Sequence, residues 1–232
     1  MPGNTDSSIK TERIVLHVPT DFTADEFAAL CRIGRESPAF EALEDALPLI
    51  RSYGSPKAVL RWAGVDRVDG DDTTIEGVTF HSRVVADKLR GLHRVFLSVI
   101  TAGDGLERSG AFAEDPFLNT YDGALLFHAS KYVIGFMREN FGFDGSSMLN
   151  PGSLPDWPIE NNFPLFDIIG NVDEIGVTLN EAGYITPWNS GSHIHFPGEG
   201  YQNCSLCRRY DCVGRRAPFD HAEYVRVFGV EP

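Results

Sequence analysis

Val95-Phe-Leu-Ser-Val-Ile100 decides the architecture. An almost uninterrupted apolar run of this kind reads as a strand buried on both faces, so the sheet that holds it must be covered above and below. It leaves through the glycine-rich exit Thr101-Ala-Gly-Asp-Gly105. Upstream, Ser82 caps a helix that carries Val84, Val85, Leu89 and Leu92. Before it, Lys57 to Val65 and Thr73 to Phe80 read as two strands of a hairpin around the polar turn Asp69-Gly70-Asp71-Asp72. Nearer the N-terminus, Thr23-Ala-Asp-Glu26 is a capping box for a short helix with Phe27, Leu30 and Cys31 on one face. Ser37-Pro38 supplies an N-cap and first-turn proline for a second helix through Phe40, Leu43, Leu47 and Ile50 to Gly54, with a kink predicted at Pro48.

Downstream, the strongest helix starts at Asp115-Pro116 and sets Leu118, Tyr121, Leu125, His128, Tyr132 and Phe136 at spacings of three and four before Gly142. The alternation in Ile175 to Leu179, Tyr184 to Thr186 and Ser192 to Phe196 predicts a second antiparallel unit. The order of elements predicts an α+β fold: one mixed or antiparallel twisted sheet with flanking helices. A single domain is expected over residues 13–232, after a disordered N-terminus at residues 1–12 and ending in a cysteine-rich segment at 201–218.

Composition narrows the partners. The 232 residues carry 33 acidic and 20 basic side chains, a formal charge of -13, and no Lys or Arg cluster longer than a pair. Such a field repels phosphate backbones and anionic lipid, so neither nucleic acid nor membrane is expected as a partner. No apolar run approaches the roughly 20 residues that span a bilayer, and the start MPGNTDSSIK has no apolar signal core. A cytoplasmic location follows as the expectation. The chain has no G-x-x-x-x-G-K-[ST], no strand-embedded G-x-G-x-x-G, no G-x-S-x-G and no H-E-x-x-H.

Three of the four cysteines crowd into Cys204-Ser-Leu-Cys207-Arg-Arg-Tyr-Asp-Cys212. In a C-x-x-C turn both sulfurs can face one concavity, and a third thiolate five residues on closes three corners of a zinc or iron–sulfur site. Cys31 is a possible fourth ligand, or the corner stays open. Arg208, Arg209, Arg215 and Arg216 would offset thiolate charge. Three reduced thiols in a surface loop are the plain alternative. His193 and His195 flank Ile194, so a strand puts both imidazoles on one face, where they share a metal, wall a pocket or face solvent. His128, on the apolar stripe of the long helix, reads as a core histidine with its hydrogen bonds made.

Leu149-Asn-Pro-Gly152-Ser-Leu-Pro-Asp-Trp-Pro158, Phe163-Pro-Leu-Phe166, Ile175-Gly-Val-Thr-Leu-Asn-Glu181, Ile185-Thr-Pro187 and Ser190-Gly-Ser192 occur in an order that resembles the activation domain of vitamin B12-dependent methionine synthase. The resemblance is strongest to short stand-alone members with a C-terminal cysteine motif, and it spans residues 40 to 218. It implies reductive activation of a cobalamin-dependent methyltransferase, with S-adenosylmethionine or an electron donor positioned against the partner's corrinoid. Of the family's site residues, Pro151, Gly152 and Glu181 carry over, whereas His193 and His195 replace apolar positions usual there; with Ser153 and the two strand histidines these are the expected cofactor-binding residues, and Cys204, Cys207 and Cys212, from their spacing, the expected metal ligands. Where the family has R-x-x-x-G-Y, Met148 replaces the Arg and Ser153 the Tyr. The chain lacks the D-x-H-x-x-G cobalamin motif. The implied partner is therefore a corrinoid-binding methyltransferase or methionine synthase core protein that holds the cobalamin. The alternative is a zinc or iron–sulfur regulatory or scaffold module that has lost the adenosylmethionine site.

Overall fold

The computed structural model describes residues 13–110, 118–198, 200–210 and 215–232. The expectation for residues 1–12 and the helix start at Asp115-Pro116 lie outside them. Strand β5 (Arg94–Thr101) is the spine, and every residue from Val95 to Thr101 is buried. It pairs antiparallel with β2 (Lys57–Asp69) on one side and with β9 (Ser190–Phe196) on the other. Adding β3 (Asp72–Ile75), β4 (Val78–His81) and β6 (Ser147–Leu149) gives the order β4-β3-β2-β5-β9-β6, with β1 (Arg13–His17) beside the first part of β2. All of these ladders are antiparallel.

Alternation along β5 sorts the core into two layers. Val95, Leu97 and Val99 pack with Val85 and Leu89 of α3 (Arg83–Leu89), with Leu165 and Ile169 of α6 (Asn162–Ile169), and with Trp157. Phe96 and Ile100 point the other way, to Ala129, Val133 and Met137 of α5 (Leu118–Phe141). A third cluster joins α1 (Ala24–Cys31), α2 (Pro38–Tyr53) and α4 (Gly105–Arg108) to α5 through Phe27, Leu43, Ile50, Leu106, Tyr121 and Leu125. The chain closes with α7 (His221–Phe228). No helix among the described residues is long and apolar enough to cross a membrane.

The local signals are met by specific bonds. The Glu26 N–H donates to Thr23 Oγ1 at 3.2 Å while the Thr23 N–H donates to Glu26 Oε2 at 2.7 Å, completing the box. Ser37 and Ser82 accept from Ala39 and Val85 at the starts of α2 and α3. Two expectations change. Thr73 to Phe80 is two strands, because Glu76 and Gly77 adopt φ of 48° and 81° and close a two-residue hairpin between Ile75 and Val78. The expected second antiparallel unit shrinks to β7 (Thr178–Leu179) and β8 (Ile185–Thr186), after a 3-10 turn at Val172–Ile175. Strand β9 leaves it and enters the main sheet between β5 and β6. Ile194 and His195 are both fully buried, and a strand buried on both faces belongs at the centre of a covered sheet.

Leu97, fully buried on β5, should carry a large share of that packing. Leu97→Ala is expected to cost about 2 to 5 kcal/mol in urea unfolding, and a loss below about 1 kcal/mol would contradict this core assignment.

Candidate functional site

Strand register places the two histidines. His193 lies opposite Ser98 and His195 opposite Phe96, so both imidazoles share the α5 side of the sheet with the Ser98 hydroxyl. His195 Nδ1 is 3.0 Å from the Gly145 carbonyl, which only accepts, so this nitrogen carries the proton. His195 Nε2 then accepts from Ser98 Oγ–H at 2.8 Å, and Ser98 Oγ in turn accepts from His193 Nδ1–H at the longer 3.4 Å. The pair is 7% and 0% exposed rather than solvent-facing. Burial holds the His193 imidazole well below its ordinary pKa, helped by the Arg216 charge and by the cost of charging two adjacent imidazoles together with His195. Burial also lowers His195, to about 4, against the opposing effect of its bond to Gly145. Both rings are therefore neutral near pH 7. Gly145 lies close against both neighbours: a Cβ there would stand 2.5 Å from Met137 Cε, which would have to move, and 3.3 Å from His195 Cβ. Met148 faces His195 across β6 and is 1% exposed.

The cysteine segment is tied to the edge of the same sheet. Residue 202 bridges Met148 in parallel, and the Tyr201 N–H donates to Ser147 Oγ at 2.9 Å. Beyond it the turn folds around one guanidinium. Arg215 donates to the carbonyls of Cys204 (2.6 Å), Cys207 (2.7 Å), Arg209 (2.8 Å) and Ala217 (3.2 Å). The next residue donates its backbone N–H to Cys204 Sγ at 3.4 Å, and its side-chain charge reaches both imidazoles. Cys204 and Cys207 are free and half-buried, and Cys212 lies outside the described residues. Cys31 sits in the α1–α2–α5 cluster, where burial pushes its thiol up to about 11. Its neighbour Arg32 reaches the tail, donating to the Arg215 carbonyl at 3.0 Å. Among the described residues, no three His, Cys, Asp or Glu side chains gather to hold a metal ion.

The remaining expected residues lie in the α6 layer. Gly152 is exposed at φ 77°, donates its N–H to the Trp157 carbonyl at 2.8 Å, and lies against Ile159. Pro151 is buried and Ser153 half-buried. Glu181 is exposed in a turn where Asn180 Oδ1 accepts the N–H groups of Ala182 and Tyr184, both at 3.0 Å. A chain of buried polar groups links these loops: Asn150 Nδ2 donates to the Ser192 carbonyl (2.8 Å), Ser192 Oγ to Asn162 Oδ1 (2.6 Å), and Asn162 Nδ2 to the Gly183 carbonyl (2.9 Å). Residues 151–153 and 181 thus flank the Ile159–Asn161 turn, while His193 and His195 occupy the opposite face of β9. The structure does not bring the two groups together. Ser98, Asn150, Asn162 and Ser192 are absent from the sequence-derived set; only Ser98 carried a signal, as the lone hydroxyl in a run that had to be dry. His128 Nε2 bonds the Pro19 carbonyl at 2.7 Å, the satisfied role expected of it.

No protein-family model matches the chain. No curated protein matches it either. Among solved structures, it is similar to the MetH reactivation domain crystallised bound to AdoHcy, with a TM-score of 0.59 and 14% identity over 83% of this chain and 81% of that one. That likeness establishes the fold: an antiparallel sheet flanked by helices in one domain, as in the MetH reactivation domain.

Two outcomes follow from the geometry. A histidine kept neutral by burial binds fewer protons folded than unfolded between its two pKa values, so stability falls as pH drops from about 6.5 toward 4. For His195 this amounts to on the order of 3 kcal/mol. Chemical unfolding of His195→Gln should therefore show a flatter pH dependence in that window, and an unchanged slope would contradict a neutral His195. Arg215→Lys keeps the charge but cannot reach four carbonyls. Alkylation of Cys204 and Cys207 by iodoacetamide should accelerate about fivefold or more, and an unchanged rate would show that Arg215 does not order the turn.

Proposed function

We propose that this chain is an accessory component of a cobalamin-dependent methyltransferase of the methionine synthase type, acting on a corrinoid held by a separate partner. The observation that carries the reading is the reactivation-domain fold across 83% of the chain. The sequence motifs that resemble the activation domain run from the end of β6 (149–158) through the first half of α6 (163–166) to the start of β9 (190–192). In this reading the chain contributes a docking surface and position. Its tail holds Cys204 against the Arg216 backbone, the Arg216 charge acts on the β9 imidazoles, and that edge is the proposed place where a reductant's electron and the partner's corrinoid meet.

S-adenosylmethionine does not fit the imidazole face in the manner the resemblance implies. The resemblance gives its carboxylate an arginine from this strand, and by that resemblance the buried, uncharged Met148 stands in its place. The neighbouring imidazoles are neutral and joined through Ser98.

The cysteine spacing carries a second reading, a regulatory or scaffold module that kept the fold, lost the ligand site and binds zinc or an iron–sulfur cluster through Cys204, Cys207 and Cys212. The readings part in one anaerobic assay. A cob(II)alamin-loaded methyltransferase is incubated with a low-potential reductant, with and without the chain. The accessory reading predicts at least about a tenfold faster return of activity with the chain present, and no heat of binding between the free chain and S-adenosylmethionine in calorimetry. One equivalent of zinc with no effect on reactivation would establish the module reading instead.

A further inference from the structure

Cys204 and Cys207 stand at the first and fourth corners of one turn. Between them Ser205 closes the 3-10 turn Asn203–Ser205, and Leu206 follows at φ -112° and ψ -2°, a geometry close to type I. Such a turn keeps its end Cα atoms within about 7 Å. Bridged cysteines have Cα atoms about 4.4 to 6.8 Å apart, so the pair already stands at bridging distance. One side chain holds the backbone at both corners: Arg215 Nη1 donates to the Cys204 carbonyl at 2.6 Å and Nη2 to the Cys207 carbonyl at 2.7 Å. Joining the sulfurs therefore asks for side-chain rotation and leaves the turn in place.

The two sulfurs differ in their surroundings. Cys204 Sγ accepts the Arg216 N–H at 3.4 Å, and both cysteines are half-buried, so a small reagent can reach them. The segment 201–218 holds four arginines against one acid, Asp211, in a chain of net charge -13. Arg208, Arg209 and Arg216 are exposed beside the turn. Asp220, just beyond, is engaged in capping α7, where it accepts the Glu223 N–H at 2.9 Å. A metal ion would need ligands besides these two thiols, and among the described residues no third His, Cys, Asp or Glu side chain joins them. A disulfide needs only the pair.

We propose that Cys204 and Cys207 form a dithiol–disulfide couple that exchanges two electrons with an anionic low-molecular-weight disulfide of the glutathione type. The Cys204 sulfur, its proton given to water, attacks one sulfur of that disulfide; the S–S bond breaks and one thiolate leaves and takes up a proton. Cys207, losing its own proton to water, then attacks Cys204 Sγ, forms the Cys204–Cys207 bond and releases the second thiol. Two protein thiols are oxidised and one disulfide is reduced to two thiols. The exposed arginines favour a carboxylate-bearing disulfide over a cationic one. The couple stands apart from the accessory reading, because its readouts need no methyltransferase.

The test purifies the full chain without oxygen, measures its metal content, equilibrates it with mixtures of reduced and oxidised glutathione, and maps the quenched, alkylated peptides by mass spectrometry. A Cys204–Cys207 bridge should form, with an equilibrium constant about tenfold or more above that of the same pair in the urea-unfolded chain. Cys207→Ser should stop at a glutathione adduct on Cys204. Adding Arg208→Ser and Arg209→Ser to that variant should weaken the adduct about threefold. The proposal is overturned if Cys212 replaces either cysteine in the bridge, if the folded chain bridges no more readily than the unfolded one, if the adduct forms on another cysteine, if the arginine substitutions leave it unchanged, or if a tightly held zinc or iron ion keeps both thiols from glutathione.

Discussion

The pairing of β9 with β5 is the constraint on which the rest depends. A strand inserted at the centre of a covered sheet has two buried faces, and each of its side chains must satisfy one of them. Ser192, Ile194 and Phe196 go to the α6 layer, where Ile194 and Phe196 join the large apolar core and Ser192 bonds Asn162. His193 and His195 go to the α5 layer, where an imidazole is tolerated only if it stays neutral and its nitrogens are matched. Ser98 on one neighbouring strand and Gly145 before the other match both nitrogens of His195 and the Nδ1 of His193. Moving β9 by one residue would exchange the faces and put both rings into the dry core.

The cysteine tail follows from this edge. Because residues 201 and 202 bond to β6, the turn that follows starts from a fixed point. The turn then needs something to receive its inward carbonyls, and a planar guanidinium with five N–H groups does so at four of them. Cys204 and Cys207 are thus presented by a loop with an internal organiser. The same geometry brings Arg216, exposed and cationic, into the electrostatic range of the buried imidazoles, joining two features that are well separated along the chain.

Legibility in the sequence tracked the range of the interaction. The Thr23–Glu26 box, the Ser37-Pro38 start and the Ser82 cap involve partners within three residues, and each formed as read. The β5 spine was legible because its apolar run admits few other placements. Long-range partners were not. That His193 and His195 share a face follows from strand period, but which face, and that Ser98 sits between them, depends on register across nearly a hundred residues. Glu76-Gly77 hid a turn inside what read as one strand, because Thr73 to Phe80 kept its alternation through it. Of the four tail arginines, nothing in spacing singled out Arg215 as the one that turns inward. Cys31 ended in the α1–α2–α5 cluster because Phe27 on the same helix face draws it there.

The central physical claim is a neutral imidazole pair joined through one serine hydroxyl inside the sheet. Nitrogen-15 NMR of the histidine side chains at pH 6 tests it directly. The account predicts two uncharged rings with the proton of His195 on Nδ1, and a change in His195 when Ser98 is replaced by alanine. Charged imidazolium signals for these two residues at pH 6, or indifference of His195 to the loss of Ser98, would contradict it.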